Sequence, residues 1–422
     1  MTDLEVAPPG PAATLSVEVD PADVGLDAER LRRIERHFHG YVEAGLLPGW
    51  LAVVARQGKV AYIAVDGERD REAGLPVTLD TVWRIFSMTK PITSVAAMML
   101  YEEGAFELND PVSKFIPAFA QSRVWRGGSA LKPLTDPIVE PMRMWHLLTH
   151  TAGLTYGFHH SHPVDALYRK AGFEWGSPPA LDLAGVCDAY AALPLLFQPG
   201  AEWNYSVATD VLGRVVEVIA GQPLDEVLAQ RIFAPLGMTR TGFAAAADDL
   251  PDLAGLYSPD PETGLATRNQ PMDVIGHRVP RALFGGGGLV STAADYHRFT
   301  RMLLNRGELD GTRLLGSRTL EMMATNHLPG GADLDAFGRP LFAETPFFGV
   351  GFGLGFSVTI DPIASHHGSS VGEFGWGGAA STAFWIDPQE EMTVAFFTQL
   401  LPSSTYPLRS QLHQMVRQAL VD

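Results

Sequence analysis

Two hairpin patterns, one near each end of the chain, bracket a long stretch of helical periodicity, and this arrangement most restricts the fold. Trp50 to Ala55 and Val60 to Val65 are β-type runs around Gln57-Gly58-Lys59, which reads as a two-residue turn led by Gly. Thr382 to Ile386 and Met392 to Thr398 are a second such pair around Asp387-Pro388-Gln389-Glu390, and Gly353 to Ile360 alternates loosely ahead of them. Tight turns make antiparallel neighbours, so the sheet is expected to be antiparallel. Amphipathic helices flank these patterns. One runs from Asp27 to about Ala44, with Leu31, Ile34, Phe38, Tyr41 and Val42 on a face, and another covers residues 406 to 420.

The stretch from about 105 to 325 is patterned mainly as helix: Met142 to Thr149, Leu181 to Ala192, Val207 to Ala220 with Ser206 as its cap, and Ala293 to Leu304. The expected architecture is α+β. One antiparallel sheet, completed by both ends of the chain and flanked by N- and C-terminal helices, joins a mostly helical second domain. The expected boundaries are a flexible tail at 1–20, a discontinuous sheet domain at 21–100 and 326–422, and a helical domain at 101–325, with the site in the cleft between them.

Composition excludes several functions. A net charge of −17 with no basic run disfavours nucleic acid and anionic membrane as partners. No stretch reaches the ~18 apolar residues of a membrane span, and the acidic start Met1-Thr2-Asp3-Leu4-Glu5 lacks the basic and apolar regions of a signal peptide. The single cysteine, Cys187, rules out a disulfide framework within the chain and reads as a small buried hydrophobe. The expectation is a soluble cytoplasmic protein, monomeric or homo-oligomeric, acting on a small molecule.

Chemistry enters at Ser87-Met88-Thr89-Lys90, at the mouth of a strong helix running from Met88 to about Glu103. Three-residue spacing on a helix puts two side chains on one face. A serine hydroxyl becomes a nucleophile when a neighbouring base takes its proton, and a lysine serves if burial lowers its pKa. Pro91 is tolerated in a first turn. The spacing alone is weak, because Ser129-Ala130-Leu131-Lys132 repeats it, although Gly127-Gly128 before and Pro133 after argue against a helix there. Two further segments add weight. Tyr205 stands just before a helix cap in Pro199-Gly200-Ala201-Glu202-Trp203-Asn204-Tyr205-Ser206-Val207, and Gly375-Trp376-Gly377-Gly378-Ala379 enters the strand before the second hairpin.

In this order and spacing, the three segments resemble the serine β-lactamase and penicillin-binding superfamily. They are most similar to family VIII carboxylesterases and class C β-lactamases, over roughly residues 25 to 420. His146 to Leu154, Pro235-Leu236-Gly237-Met238 and Gly286 to Thr292 support the resemblance. It implies a β-lactamase-like fold and an acyl-enzyme on Ser87. Tyr205 would take the serine proton, directly or in concert with Lys90. The backbone N–H groups of Ser87 and Ala379 would form the oxyanion hole, and Trp376, Gly377, Gly378 and Phe158 would line the pocket. No metal and no cofactor is implied.

The chain departs from the lactamase pattern in two places. The third motif there begins with a lysine, whereas none of this chain's lysines (59, 90, 114, 132, 170) lies beyond 170, and Trp376 takes its place. The second motif, Tyr-x-Asn in class C enzymes, is Tyr205-Ser206-Val207 here. Both losses make the site more apolar, which favours neutral short-chain acyl esters over anionic lactams. The expected activity is therefore that of a serine carboxylesterase, with acyl transfer or weak β-lactam hydrolysis as alternatives and a non-turning-over binding protein as a third.

Rival motifs fare worse. Gly368-Ser369-Ser370-Val371-Gly372 has the form of a nucleophile elbow but lacks the strand before and helix after, and only His413 follows as a base. His146 and His150 with His159, His160 and His162 lack a completing carboxylate or Cys for zinc. Gly285 to Gly288 has no following lysine, so it is not a phosphate loop.

Overall fold

The structure, a computed structural model, describes residues 10–339 and 347–421. Its centre is an eight-stranded antiparallel sheet. In spatial order its strands are Val350–Phe352, Ser357–Thr359, Phe374–Gly377, Ala383–Asp387, Met392–Thr398, Gly49–Arg56, Lys59–Asp70 and Leu75–Pro76. The N- and C-terminal hairpins meet where Gly49–Arg56 pairs with Met392–Thr398, from Trp50 opposite Thr398 to Arg56 opposite Met392. Both ends of the chain therefore complete one sheet, as the hairpin patterns imply.

Period-two alternation sorts the side chains of these central strands onto two apolar faces. Trp50, Ala52, Val54, Val394 and Phe396 pack with Leu31, Ile34 and Phe38 of helix Ala28–Glu43 and with Leu412 and Val416 of helix Leu408–Arg417. Leu51, Val53, Ala55, Ala395 and Phe397 face the other way, toward Ile92 and Val95 of helix Thr89–Glu102 and Tyr296 and Phe299 of helix Ala293–Leu304. Burial on both faces explains why the first strand reads as an unbroken apolar run. Phe38 touches both Trp50 (ring centroids 5.5 Å) and Phe396 (4.9 Å), pinning the first helix to the seam between the hairpins.

Local expectations needed correction where a residue's environment overrides its pattern. The first hairpin turns on Gln57-Gly58, both at positive φ (+53° and +74°), so Gln leads and Gly follows. Gly353 to Ile360 is not one strand. Two short strands, Val350–Phe352 and Ser357–Thr359, fold back around Gly355 at φ +99°. A Cβ there would lie 2.3 Å from Ser94 Oγ, so the bend is packed on the Thr89–Glu102 helix. The stretch patterned as helix also holds an exposed hairpin, Arg123–Ser129 with Lys132–Pro137. Helix Ala208–Ala220 is flanked by Val207 at its N-cap, while the Ser206 hydroxyl accepts the Ala208 N–H at 3.3 Å. Of the stretch read as a flexible tail, residues 1–9 lie outside the described residues. Beyond them, the Gly10 N–H donates to the Ala234 carbonyl (2.8 Å), the Ala13 N–H to Gly237 (3.0 Å) and the Glu18 N–H to Val60 (2.8 Å).

Candidate active site

Ser87 sits in a 3-10 turn, Phe86–Met88, between strand Val82–Arg84 and helix Thr89–Glu102. From residue 81 to residue 100, Ser87 is the one position that is not buried. Phe86 adopts φ +42°, a left-handed conformation that costs a bulky residue of order 1–3 kcal/mol. It is held there by packing against Leu256, Ala380 and Leu401. The strained turn swings Ser87 out of an otherwise buried segment.

Lys90 is 2 % exposed, and its Nζ has three oxygen partners: Ser87 Oγ at 3.2 Å, Tyr156 Oη at 3.0 Å and the Gly286 carbonyl at 2.6 Å. A carbonyl can only accept. A neutral amine has two hydrogens and one lone pair. With the hydrogens given to Gly286 and Tyr156, the lone pair is left for the Ser87 hydroxyl, which is the geometry a general base requires. Burial lowers the Lys90 pKa, and the Asp210 carboxylate offsets part of that effect. Asp210, on helix Ala208–Ala220, is itself raised by burial and lowered by Lys90; it accepts the Gly286 N–H at 2.7 Å. The loop from Gly285 is thus tied on both sides, because Thr93 Oγ1 also donates to the Gly285 carbonyl at 2.8 Å. Gly285 and Gly286 admit this approach. A Cβ on Gly286 would lie 2.9 Å from Asp210 Oδ1 and 3.2 Å from Tyr156 Oη.

Tyr205 presents its ring face to Lys90, with Nζ 4.5 Å from the centroid, and its Oη accepts from Trp376 Nε1 at 3.3 Å. Its backbone is fixed too. The Asn204 N–H donates to the His150 carbonyl at 2.9 Å, and His159 Nε2 lies 2.7 Å from the Tyr205 carbonyl oxygen. Tyr156, half-buried with its hydroxyl end toward Lys90 (Nζ to ring centroid 5.4 Å), has its pKa raised well above the usual phenol value, first by desolvation and then by Asp210 and Tyr205. Phe158 stacks on Tyr156 (4.5 Å) and on Trp175 (4.5 Å), building an aromatic wall from Lys90 to the surface.

Trp376 lies on strand Phe374–Gly377, against Tyr205 (5.3 Å) and Phe352 (5.4 Å). Gly377 and Gly378 are packed differently. The Cβ that Gly377 lacks would fall 2.1 Å from Arg409 Cζ, and that of Gly378 would fall 2.2 Å from Thr382 Oγ1 and 2.4 Å from the Ile85 carbonyl. Their glycine identity is what permits this close packing. The close approach of Gly378 to Ile85 brings the Ala379 turn onto the Ser87 segment, where Ala379 packs in the Phe86 cluster.

The rival motifs are placed elsewhere. Ser129 and Lys132 flank the turn of the exposed hairpin. Ser370 lies in a loop with no strand before it and no helix after it. His413 is half-buried and stacks on Trp385, with ring centroids 3.7 Å apart. His146 Nδ1 accepts the Arg143 N–H (2.9 Å), and His150 Nδ1 lies 3.2 Å from Ser206 Oγ. Among the described residues no group of His, Cys, Asp and Glu could hold a metal ion. The Cys187 thiol is buried and its pKa pushed well up, foremost by that burial.

Residues 34–414 match the Beta-lactamase family. The chain belongs to that family. It is 38% identical to Protein Rv1367c of Mycobacterium tuberculosis over 367 residues, which span 85% of this chain and 88% of that one. It is 32% identical to Esterase EstB of Burkholderia gladioli over 401 residues, 91% of this chain and 94% of that one. The solved structure of EstCE1, a hydrolase with promiscuous acyltransferase activity, superposes with a TM-score of 0.76 at 27% identity, covering 95% of this chain and 99% of that one. Within the β-lactamase-like superfamily the chain is a family VIII esterase-like member and a serine hydrolase. No helix among the described residues is long and apolar enough to cross a membrane.

The motifs found Ser87, Lys90, Tyr205 and Trp376, which stand together. Tyr156, Asp210 and the Gly286 carbonyl were missed. Gly286 lies inside a segment that supported the family resemblance, but nothing in its sequence marks the carbonyl as a lysine acceptor.

Proposed function

We propose that this enzyme is a serine carboxylesterase for neutral short-chain acyl esters, working through a Ser87 acyl-enzyme. Ser87 Oγ attacks the ester carbonyl as its proton passes to neutral Lys90 Nζ. The negative oxygen is held by the N–H groups of Ser87 and Ala379. The proton travels through Tyr205 to the departing alcohol, breaking the ester C–O bond and leaving the acyl group on Ser87. Water, deprotonated by the same groups, then attacks the acyl carbonyl and releases the carboxylic acid and free Ser87. On this reading, the sheet segments at 21–100 and 326–422 and the helical stretch at 101–325 form the two walls of the cleft.

The observation that carries the reading is the placement of Lys90 Nζ: buried, 3.2 Å from Ser87 Oγ, with a carbonyl and a phenol as its other partners. The apolar surroundings of Trp376, with no lysine in the third motif, favour an uncharged ester over a β-lactam carboxylate. The test is a panel of p-nitrophenyl esters beside a chromogenic cephalosporin, with and without a competing alcohol. Ester turnover lost in Ser87→Ala supports the reading. A cephalosporin preference, or a dominant transfer product, overturns it in favour of lactam hydrolysis or acyl transfer.

A second assignment of the proton carrier is favoured by one distance. Tyr156 Oη lies 3.0 Å from Lys90 Nζ, so Tyr156 is positioned to carry the proton in place of Tyr205. We further read the enzyme as cytoplasmic, its lone cysteine requiring no oxidising compartment, which subcellular fractionation tests, and as monomeric or homo-oligomeric without nucleic-acid or membrane partners.

A further inference from the structure

Arg409 belongs to the final helix, Leu408–Arg417, yet it reaches the turn that carries Ala379. Its Nη2 donates to the Gly378 carbonyl and to the Thr382 carbonyl, each at 2.8 Å. These two residues close the turn between strands Phe374–Gly377 and Ala383–Asp387. The Gly378 N–H donates to Thr382 O (2.9 Å), and the Ser381 N–H donates to Gly378 O (3.1 Å).

The Gly378 carbonyl and the Ala379 N–H are the two ends of one peptide group. That group is planar and trans, so its C=O and N–H point in opposite directions. Anchoring the oxygen with a charged donor therefore fixes where the N–H aims. A cation on the oxygen also polarises the amide and makes its N–H a stronger donor. Room for the guanidinium exists because residue 377 is glycine: a Cβ there would lie 2.1 Å from Arg409 Cζ and 2.2 Å from Nη2.

We propose that Arg409 is a positioning residue for acyl transfer, holding the 378–379 peptide so that the Ala379 N–H faces the developing oxyanion. This rests on the reading of Ala379 as an oxyanion donor to a Ser87 acyl-enzyme. It gives the final helix a part in the reaction from the far side of the sheet, through a carbonyl no substrate touches.

The test compares wild type, Arg409→Lys, Arg409→Gln and Gly377→Ala, the last displacing the guanidinium without removing it. Each is acylated with an ester labelled at its carbonyl carbon, and the acyl C=O stretch is read by rapid-mixing infrared spectroscopy beside burst stoichiometry and steady-state constants. Loss of one oxyanion donor costs about 10²–10³-fold in kcat; loss of its support is expected to cost about 10- to 100-fold, with KM changed by less than about threefold. The acyl band should move to higher wavenumber in Arg409→Gln and Gly377→Ala and partly return in Arg409→Lys. Full bursts with the wild-type band position in Arg409→Gln overturn the proposal. Should that variant not fold, the band of Gly377→Ala decides in the same way. A wild type that forms no acyl band would instead overturn the Ser87 reading and this proposal with it, while a wild-type band as high as that of the free ester overturns the oxyanion hole and this proposal but leaves the Ser87 acyl-enzyme standing.

Discussion

Lys90 Nζ lies 2.6 Å from the Gly286 carbonyl oxygen, closer than to either of its hydroxyl partners. An acceptor at that point occupies one N–H whatever the protonation state, and so restricts where the lone pair of the neutral amine can point. Lys90→Arg keeps the cation but cannot lose its proton near neutrality. We expect kcat for p-nitrophenyl butyrate to fall at least ~10²-fold in this variant, with folding retained by circular dichroism. A wild-type rate would remove Lys90 from the base role.

The pH dependence follows from the same pair. Burial lowers the Lys90 pKa, so its neutral form is present at pH values below the ordinary lysine range, and kcat/KM should rise as pH rises through the lowered value. Asp210 favours the ammonium. Removing its charge in Asp210→Asn should lower the Lys90 pKa further and move the ascending limb to lower pH. A limb displaced upward would contradict the electrostatic role.

Two phenols compete for the proton-carrier role, and their single variants separate them. Tyr205→Phe also removes the acceptor of the Trp376 indole N–H, and Tyr156→Phe removes a Lys90 partner. The carrier's variant should lose about 10²–10⁴-fold in kcat. The other should lose about tenfold or less. Steady-state rates on one ester suffice, and a large loss in Tyr156→Phe alone would reassign the step.

Ser370→Ala tests the rival nucleophile. Ser370 lies in a loop, and we expect esterase activity and burst size to stay at wild-type levels. Loss of the burst with an unchanged melting temperature would return Ser370 to consideration.

Phe38→Ala tests the architecture rather than the chemistry. Phe38 is fully buried at the seam of the two hairpins. Its truncation should cost about 3–5 kcal/mol in chemical denaturation, while KM below the transition stays unchanged because the ring faces away from Ser87. A cost under ~1 kcal/mol would mean that the first helix is not anchored at the seam.

Local periodicity carries the parts of this fold whose side chains face one consistent environment. Leu31, Ile34 and Phe38 mark the first helix because one face of it meets the sheet, and Trp50 to Ala55 marks a strand because both its faces are covered. The Arg123–Ser129 hairpin escaped because it is mostly exposed and has no apolar alternation to read. The bend at Gly355 escaped because its cause, Ser94, belongs to another element.

The chain's sequence by itself determined the antiparallel sheet shared by both ends, the Ser87–Lys90 pair on one helical turn, and the absence of a lysine beside Trp376. Each depends on neighbours a few residues apart or on residue identity alone. Tertiary structure decided which oxygens surround Lys90, with Tyr156 separated by 66 residues and Gly286 by 196, and it decided that Asp210 and Arg409 stand behind the site. No local period links such positions. They meet because the packing of helices on a sheet leaves each buried amine, carbonyl and guanidinium only the partners that the assembled fold brings within hydrogen-bonding distance.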